Sequence, residues 1–221
     1  MTTIKDKLIA AGLARVLTDV DLHNLLGGTP AARYAMVNKA LQKGELIKIR
    51  RGLYLLADQY HHKKLSKYFL ASRIAAHSYI SLESAFSYYG WIPERVTTVT
   101  SVLACGRTKK FTTFFGEFAF YHPPINEYEF LTGVMRVEEI KGEPFLLASP
   151  LRALADYVYI KKITGVGMAF LTHSLRIDME QLMTIDCNDF VEIKRVYRST
   201  RVLHFLNAFE RELKNNGRSY H

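Results

Sequence analysis

Residues 29–56 read TPAARYAMVNKALQKGELIKIRRGLYLL, and the order of signals in them decides the fold of the N-terminal part of the chain. Thr29 is a good N-cap, and Pro30 is preorganised for the first helical position. A helix is therefore expected from there to about Lys43, with Gly44 suited to the left-handed position that ends it. The β-rich runs Glu45-Leu46-Ile47-Lys48-Ile49 and Leu53-Tyr54-Leu55-Leu56 flank Arg50-Arg51-Gly52, a basic turn holding a glycine, which reads as a hairpin. Upstream, Ile4, Leu8, Ala11 and Arg15 fall at helical spacing, with Ile9 and Leu13 filling the stripe, so a first helix is expected over Ile4–Ala14. A second helix starts at Thr18, whose hydroxyl can cap it, with Asp19 and Asp21 at its positive end. It carries Val20, Leu22, Leu25 and Leu26 and stops at Gly27-Gly28.

Short helices followed by a hairpin with a cationic tip, all within residues 4–57, make the plan of a winged helix-turn-helix. The expected fold class is α+β. An N-terminal winged helix-turn-helix over residues 1–57 precedes a mixed α+β domain over 58–221, with a helical region at about 165–221.

In this plan the third helix reads the major groove of double-stranded DNA. At about 100° per residue, Pro30, Tyr34, Val37, Ala40 and Leu41 fall on one side, and Ala31, Ala35, Asn38, Lys39 and Gln42 on the other. The expected DNA-binding residues are Thr29, Ala31, Arg33, Tyr34, Asn38, Lys39, Gln42, Lys48, Arg50 and Arg51. The small alanines let the backbone approach DNA closely. Asn38 and Gln42 suit adenine, and Lys39 suits phosphate. Arg33 lies on the inner face by the wheel, yet near the helix start its long side chain could also reach guanine or phosphate. Tyr34 sits at the boundary, packing with its hydroxyl outward. Lys48, Arg50 and Arg51 suit phosphates or a narrow minor groove, the alternative being a solvated basic turn.

The composition agrees with a polyanionic partner. The 221 residues carry a net charge of +9. Lys and Arg outnumber Asp and Glu nine to five in residues 1–60, eight to four in 61–128, and only thirteen to twelve in 129–221. No apolar run reaches the roughly 18 residues of a membrane span, and Met1 opens a polar, amphipathic stretch without a secretory core. Cys105 and Cys187 form no CxxC and no zinc set, so a reduced, cytoplasmic protein is expected.

Beyond the polar stretch 57–64, helices are expected at Lys67–His77 and at Ser81–Gly90, the latter capped by Ser81. Strands are expected at Val96–Leu103, Thr112–Phe115, Glu117–Tyr121, Gly133–Ile140 and Pro144–Leu147. Ser149-Pro150 starts a helix running from Leu151 to about Lys162, and Arg201–Asn215 closes the chain as another. No catalytic residue, cofactor or metal is expected. Ser81, Glu83 and His77 lack a nucleophile elbow. Glu192-Ile193-Lys194, preceded by Asp178, Asp186 and Asp189, is nuclease-like, but Phe190, Ile193, Val196 and Tyr197 recur at helical spacing and put Glu192 and Lys194 on different faces. Gly165-Val166-Gly167 lacks the third glycine and the preceding strand of a dinucleotide fingerprint and reads as a helix terminator. His61-His62 and His122-Pro123-Pro124 are loop histidines, and no Gly-Ser followed by Asp-x-Asp marks a nucleotidyltransferase.

Several phrases resemble the AbiEi family, the antitoxin and repressor component of type IV toxin–antitoxin systems. They are Tyr79-Ile80-Ser81-Leu82-Glu83-Ser84-Ala85 with Tyr88-Tyr89-Gly90-Trp91-Ile92-Pro93-Glu94, Val99-Thr100-Ser101 with Arg107, Phe118-Ala119-Phe120-Tyr121-His122, and Ala148-Ser149-Pro150 with Ala153-Leu154-Ala155-Asp156-Tyr157. The wing phrase Arg50-Arg51-Gly52-Leu53-Tyr54 is similar too, and together they cover roughly residues 15–160. Leu151 departs from the acidic residue the family often has after Ser-Pro. The resemblance implies a regulator that binds inverted repeats in its own promoter, as a homo-oligomer on DNA, and counteracts a nucleotidyltransferase toxin of the AbiEii type without a tight direct complex being required. Two alternatives stand beside it: a stand-alone winged-helix regulator whose second domain senses a ligand or dimerises, and a DNA nuclease using Glu192.

Overall fold

A computed structural model of the chain describes residues 4–10, 15–57, 65–164 and 167–217. The N-terminal elements are α1 (Ile4–Ala10), β1 (Val16–Thr18), α2 (Asp19–Leu26), α3 (Pro30–Gln42), β2 (Leu46–Arg50) and β3 (Leu53–Leu56). The expected first helix is present as far as Ala10, and residues 11–14 lie outside the described residues. The second and third helices stand where their caps put them. Thr18 and Asp21 form a reciprocal capping box on α2, and the Thr29 hydroxyl accepts from the Ala32 amide. At the far end of α3, the Gly44 amide donates to Leu41 O and the Glu45 amide to Ala40 O, with Gly44 at φ +67°. That is a Schellman closure, and it aims the chain directly into β2.

β1 is the element the sequence did not announce. It pairs antiparallel with β3 (Val16 with Leu55, Leu17 with Tyr54, Thr18 with Leu53), turning the hairpin into a three-stranded sheet of order β1-β3-β2. A three-residue strand is too short to show a period of two, and its ladder partner lies far along the chain. Alternation along β3 then divides the sheet into two working faces. Leu56 joins Ile4, Leu8, Leu17, Leu22, Val37, Ala40 and Leu46 in a core under the helices. Leu53 and Leu55, with Val16 and Ile49, belong to the larger core of the rest of the chain. Full burial of each such leucine contributes about 1.5–3 kcal/mol, so the sheet is held from both sides.

The remaining elements are α4 (Lys67–Ile74), β4 (Ser78–Ile80), α5 (Leu82–Tyr88), β5 (Thr98–Leu103), β6 (Lys109–Thr113), β7 (Gly116–Tyr121), β8 (Val134–Val137), β9 (Phe145–Ala148), α6 (Pro150–Ile160), α7 (Met168–His173), α8 (Met179–Leu182), α9 (Cys187–Val196) and α10 (Thr200–Gly217). Six strands form one mixed sheet, ordered β6-β7-β5-β4-β9-β8. The fold class is α+β. The α4 helix ends before the expected His77, because Ala75 is extended, His77 is left-handed and the Ser78 hydroxyl donates to Ala75 O at 2.7 Å, leading the chain into β4. β6 starts at Lys109, ahead of the expected Thr112, where its antiparallel pairing with β7 begins. Among the described residues no helix is long and apolar enough to cross a membrane.

Two charged side chains lie at the centre of this second part. Arg152 and Asp156, one turn apart on α6, are both 0% exposed and pair at 3.7 Å. The Asp156 carboxylate accepts from the hydroxyls of Tyr79 (2.9 Å), Ser81 (2.7 Å) and Tyr197 (2.5 Å). Arg152 donates to Tyr79 Oη and to Thr132 O, both at 2.8 Å. Ser81 therefore does not cap α5 with its side chain, as its position suggested; the buried carboxylate claims the hydroxyl instead.

Removing one partner from such a pair leaves an uncompensated buried charge. Asp156→Ala is expected to cost about 3–5 kcal/mol, and Arg152→Met added to it should restore part of that loss. Urea unfolding followed by the single, buried tryptophan, Trp91, measures both. A double variant no more stable than Asp156→Ala alone would contradict the pairing.

The pH dependence follows from the tyrosines. Burial first, and then Asp156, holds Tyr79 and Tyr197 well above their ordinary 10.0. Burial likewise pushes Tyr68 and Tyr89 up to about 12. In the unfolded chain these phenols ionise near 10.0. Their contribution is thus fully present below that pH and is lost as pH rises through the folded values. Urea midpoints should fall steadily from about pH 10 to about pH 12; a flat profile over that range would refute the assignment.

Candidate nucleic-acid interface

One face of α3 is turned to solvent. Ala31, Tyr34, Ala35, Lys39 and Gln42 are exposed and Asn38 is half-buried, while Val37 and Ala40 are buried against α1 and the sheet. Tyr34 departs from its expected boundary packing, being 72% exposed. The wheel placed it on the inner side, but the core does not extend to the start of the helix. A cavity of about 270 Å³ lies there instead, bordered by Leu22, Arg33, Tyr34, Val37 and Tyr54. Thr29 is exposed, with its hydroxyl engaged in the cap.

Arg33 turns back along the chain. Its Nη1 donates to Gly28 O, and to Gly27 O at 3.3 Å. The guanidinium thus serves the carbonyls of the turn between α2 and α3, which the two left-handed glycines leave without helical partners. Of its two open placements, this one anchors the helix start.

At the hairpin tip, Lys48 and Arg51 are exposed and Arg50 is half-buried. Arg50 was expected to contact phosphate, yet it donates through Nε to Ile74 O at 3.1 Å and through Nη1 to Arg51 O at 2.9 Å. The Ile74 carbonyl is at the negative end of α4, where a cation is favoured. Arg50 is therefore an anchor between the hairpin and the second part. Gly52, at φ +74°, makes the turn, and its carbonyl accepts from the Asp19 amide at 3.2 Å. A Cβ at Gly52 would stand 2.8 Å from Asp19 Oδ2. The close approach brings the start of α2 against the hairpin turn.

The other candidate residues separate. His77 is exposed while Ser81 is fully buried on Asp156, and Glu83 pairs with Lys161 at 2.6 Å. Glu192 is exposed on α9, whereas Lys194 pairs with Glu210 of α10 at 2.5 Å. Gly167 precedes α7 as its N-cap instead of terminating a helix, and its backbone lies against Glu212. His122 sits on Leu103 O through Nδ1 at 3.3 Å. Among the described residues no three or more His, Cys, Asp or Glu side chains group as metal ligands. Cys105 and Cys187 are both free. His61-His62 and Gly165-Val166 lie outside the described residues.

The buried set of Arg152, Asp156, Tyr79 and Tyr197 was not singled out from the sequence. Its one local signal is an Arg and an Asp at i, i+4 on an otherwise apolar helix, a spacing equally common on solvated faces.

No family model matches the chain, and no curated protein matches it.

Proposed function

We propose that residues 4–57 form a winged helix-turn-helix that binds double-stranded DNA, and that the protein is a transcriptional repressor acting in the cytoplasm. The observation that carries this reading is the exposed face of α3 beside a tip bearing Lys48 and Arg51, with the opposite face of the helix buried. A helix about 10–12 Å across with its side chains matches the major groove. Ala31 and Ala35 allow close approach, Asn38 and Gln42 supply paired donors and acceptors for base edges, and Lys39, Lys48 and Arg51 supply phosphate contacts. Arg33 and Arg50 hold the two reading elements in place.

The fuller proposal is autoregulation of its own operon and action as antitoxin against a nucleotidyltransferase toxin, and it rests on the resemblance to the AbiEi family. The phrases that carry that resemblance include Tyr79, Ser81 and Asp156, which share one buried network. They support a common framework for the second part and leave the means of counteracting a toxin to residues outside that network. The role is regulatory rather than catalytic. A footprint on the chain's own promoter tests the first half, through the site and its half-site spacing. Co-expression with an adjacent nucleotidyltransferase gene tests the second, and growth arrest that persists would sink it.

The surface can be checked residue by residue. Lys48→Ala with Arg51→Ala should weaken binding to all DNA sequences and lower the slope of log affinity against log salt by about two. Asn38→Ala should instead erode discrimination between operator and random DNA, by about 1–3 kcal/mol. Arg50→Ala should leave the salt slope unchanged, since its guanidinium serves Ile74 O. Fluorescence anisotropy across a salt series measures all three; operator binding untouched by the first two variants would put the DNA surface elsewhere.

A further inference from the structure

A second cavity, of about 510 Å³, opens between the end of α6, the start of α10 and the end of β7. Lys162, Arg201, His122, Ser199 and Thr200 line it, and none of its lining residues is acidic. The side chains of Lys162, Arg201, Ser199 and Thr200 make no hydrogen bond or ion pair among the described residues. The neighbouring Lys161, by contrast, pairs with Glu83. Two unmatched cations facing one hollow repel each other, and an anion between them removes that repulsion.

The backbone adds a second observation. Lys162 follows the last turn of α6 with φ +56°, the left-handed position normally taken by glycine. A lysine there is strained by its Cβ. The lysine that stands here is exposed and lines the hollow. Arg201 lies in the first turn of the 18-residue α10, a turn without acidic residues, so the positive end of the helix adds to its charge. Tyr121 and Tyr159 provide aromatic walls wide enough for a sugar or a ring.

We infer that this cavity binds a small phosphorylated molecule, a phosphate monoester of the size of a nucleoside monophosphate, through Lys162 and Arg201. The Ser199 and Thr200 hydroxyls donate to the remaining phosphate oxygens. The inference goes beyond DNA binding and does not rest on it.

Isothermal titration calorimetry of the full chain with inorganic phosphate, AMP and adenosine tests this. Phosphate and AMP should bind and adenosine should not. AMP binding tighter than phosphate would show that the tyrosine walls contribute; equal affinities would confine the site to the phosphate. Lys162→Gly separates binding from folding, because glycine relieves the strained φ. It should keep or raise Tm while weakening AMP binding about tenfold, the worth of one charge-assisted contact. Arg201→Gln should weaken it comparably. The proposal is overturned if neither phosphate nor AMP binds, if adenosine binds as well as AMP, or if both variants retain wild-type affinity. A loss of DNA affinity in Lys162→Gly with AMP binding intact would equally overturn it, assigning the cations to DNA.

Discussion

A guanidinium and a carboxylate with no access to water impose the main constraint on the second part of this molecule. Each such charge costs several kcal/mol to bury. The pair is tolerated because hydroxyls and carbonyls fill the Asp156 oxygens and the Arg152 terminal nitrogens, while Arg152 Nε relies on the 3.7 Å ion pair alone. Asp156 receives hydroxyls from β4, from the residue after β4 and from Tyr197 at the end of α9. Arg152 reaches the carbonyl of Thr132 in the turn before β8. Satisfying one ion pair therefore fixes α6 against the sheet, against the C-terminal helices and against a long connection at once. The buried apolar residues of α6, among them Ala153, Leu154, Ala155 and Val158, then pack around this fixed pair. The same orientation decides where Lys161 and Lys162 emerge at the end of the helix, and so sets the cationic wall of the cavity beside α10.

The N-terminal sheet transmits this framework to the proposed DNA surface. Because consecutive residues of β3 point to opposite faces, Leu53 and Leu55 are claimed by the second part while Leu56 serves the core under α1–α3. Arg50 adds a directional tie from the hairpin to the end of α4. The Arg73–Asp21 contact, at 3.9 Å and partly exposed, adds little. The hairpin tip is thereby held by the second part as much as by its own helices. A change in the packing of α4 would be felt at the tip directly, through the shared leucines.

How much of this was legible depends on how far each signal acts along the chain. The α3 helix was readable from end to end, because Thr29, Pro30 and Gly44 act on backbone groups within a few residues of themselves. The hairpin was readable for the same reason, with Gly52 supplying the left-handed turn. So was α6, whose Ser149 cap and Pro150 start are local. By contrast β1 and β4, three residues each, exist only because β3, β5 and β9 present free edges to them. Tyr34 was misplaced because a helical wheel gives direction but not how far a core extends along the axis.

Arg50, Ser81 and Asp156 mark the same boundary from the side of function. Residue type and position in the sequence made Arg50 a phosphate contact and Ser81 a cap. The acceptors that won, Ile74 O and the Asp156 carboxylate, lie 24 and 75 residues away. A polar side chain in a folded protein goes to the partner whose absence would leave a buried group unsatisfied, and that partner exists only once distant segments have met. The sequence by itself thus determined the capped helices α2, α3 and α6, the hairpin and the α+β class. The tertiary structure alone decided that Arg33 and Arg50 act as anchors while Lys48 and Arg51 stay exposed, because that choice is made by contacts no local pattern encodes.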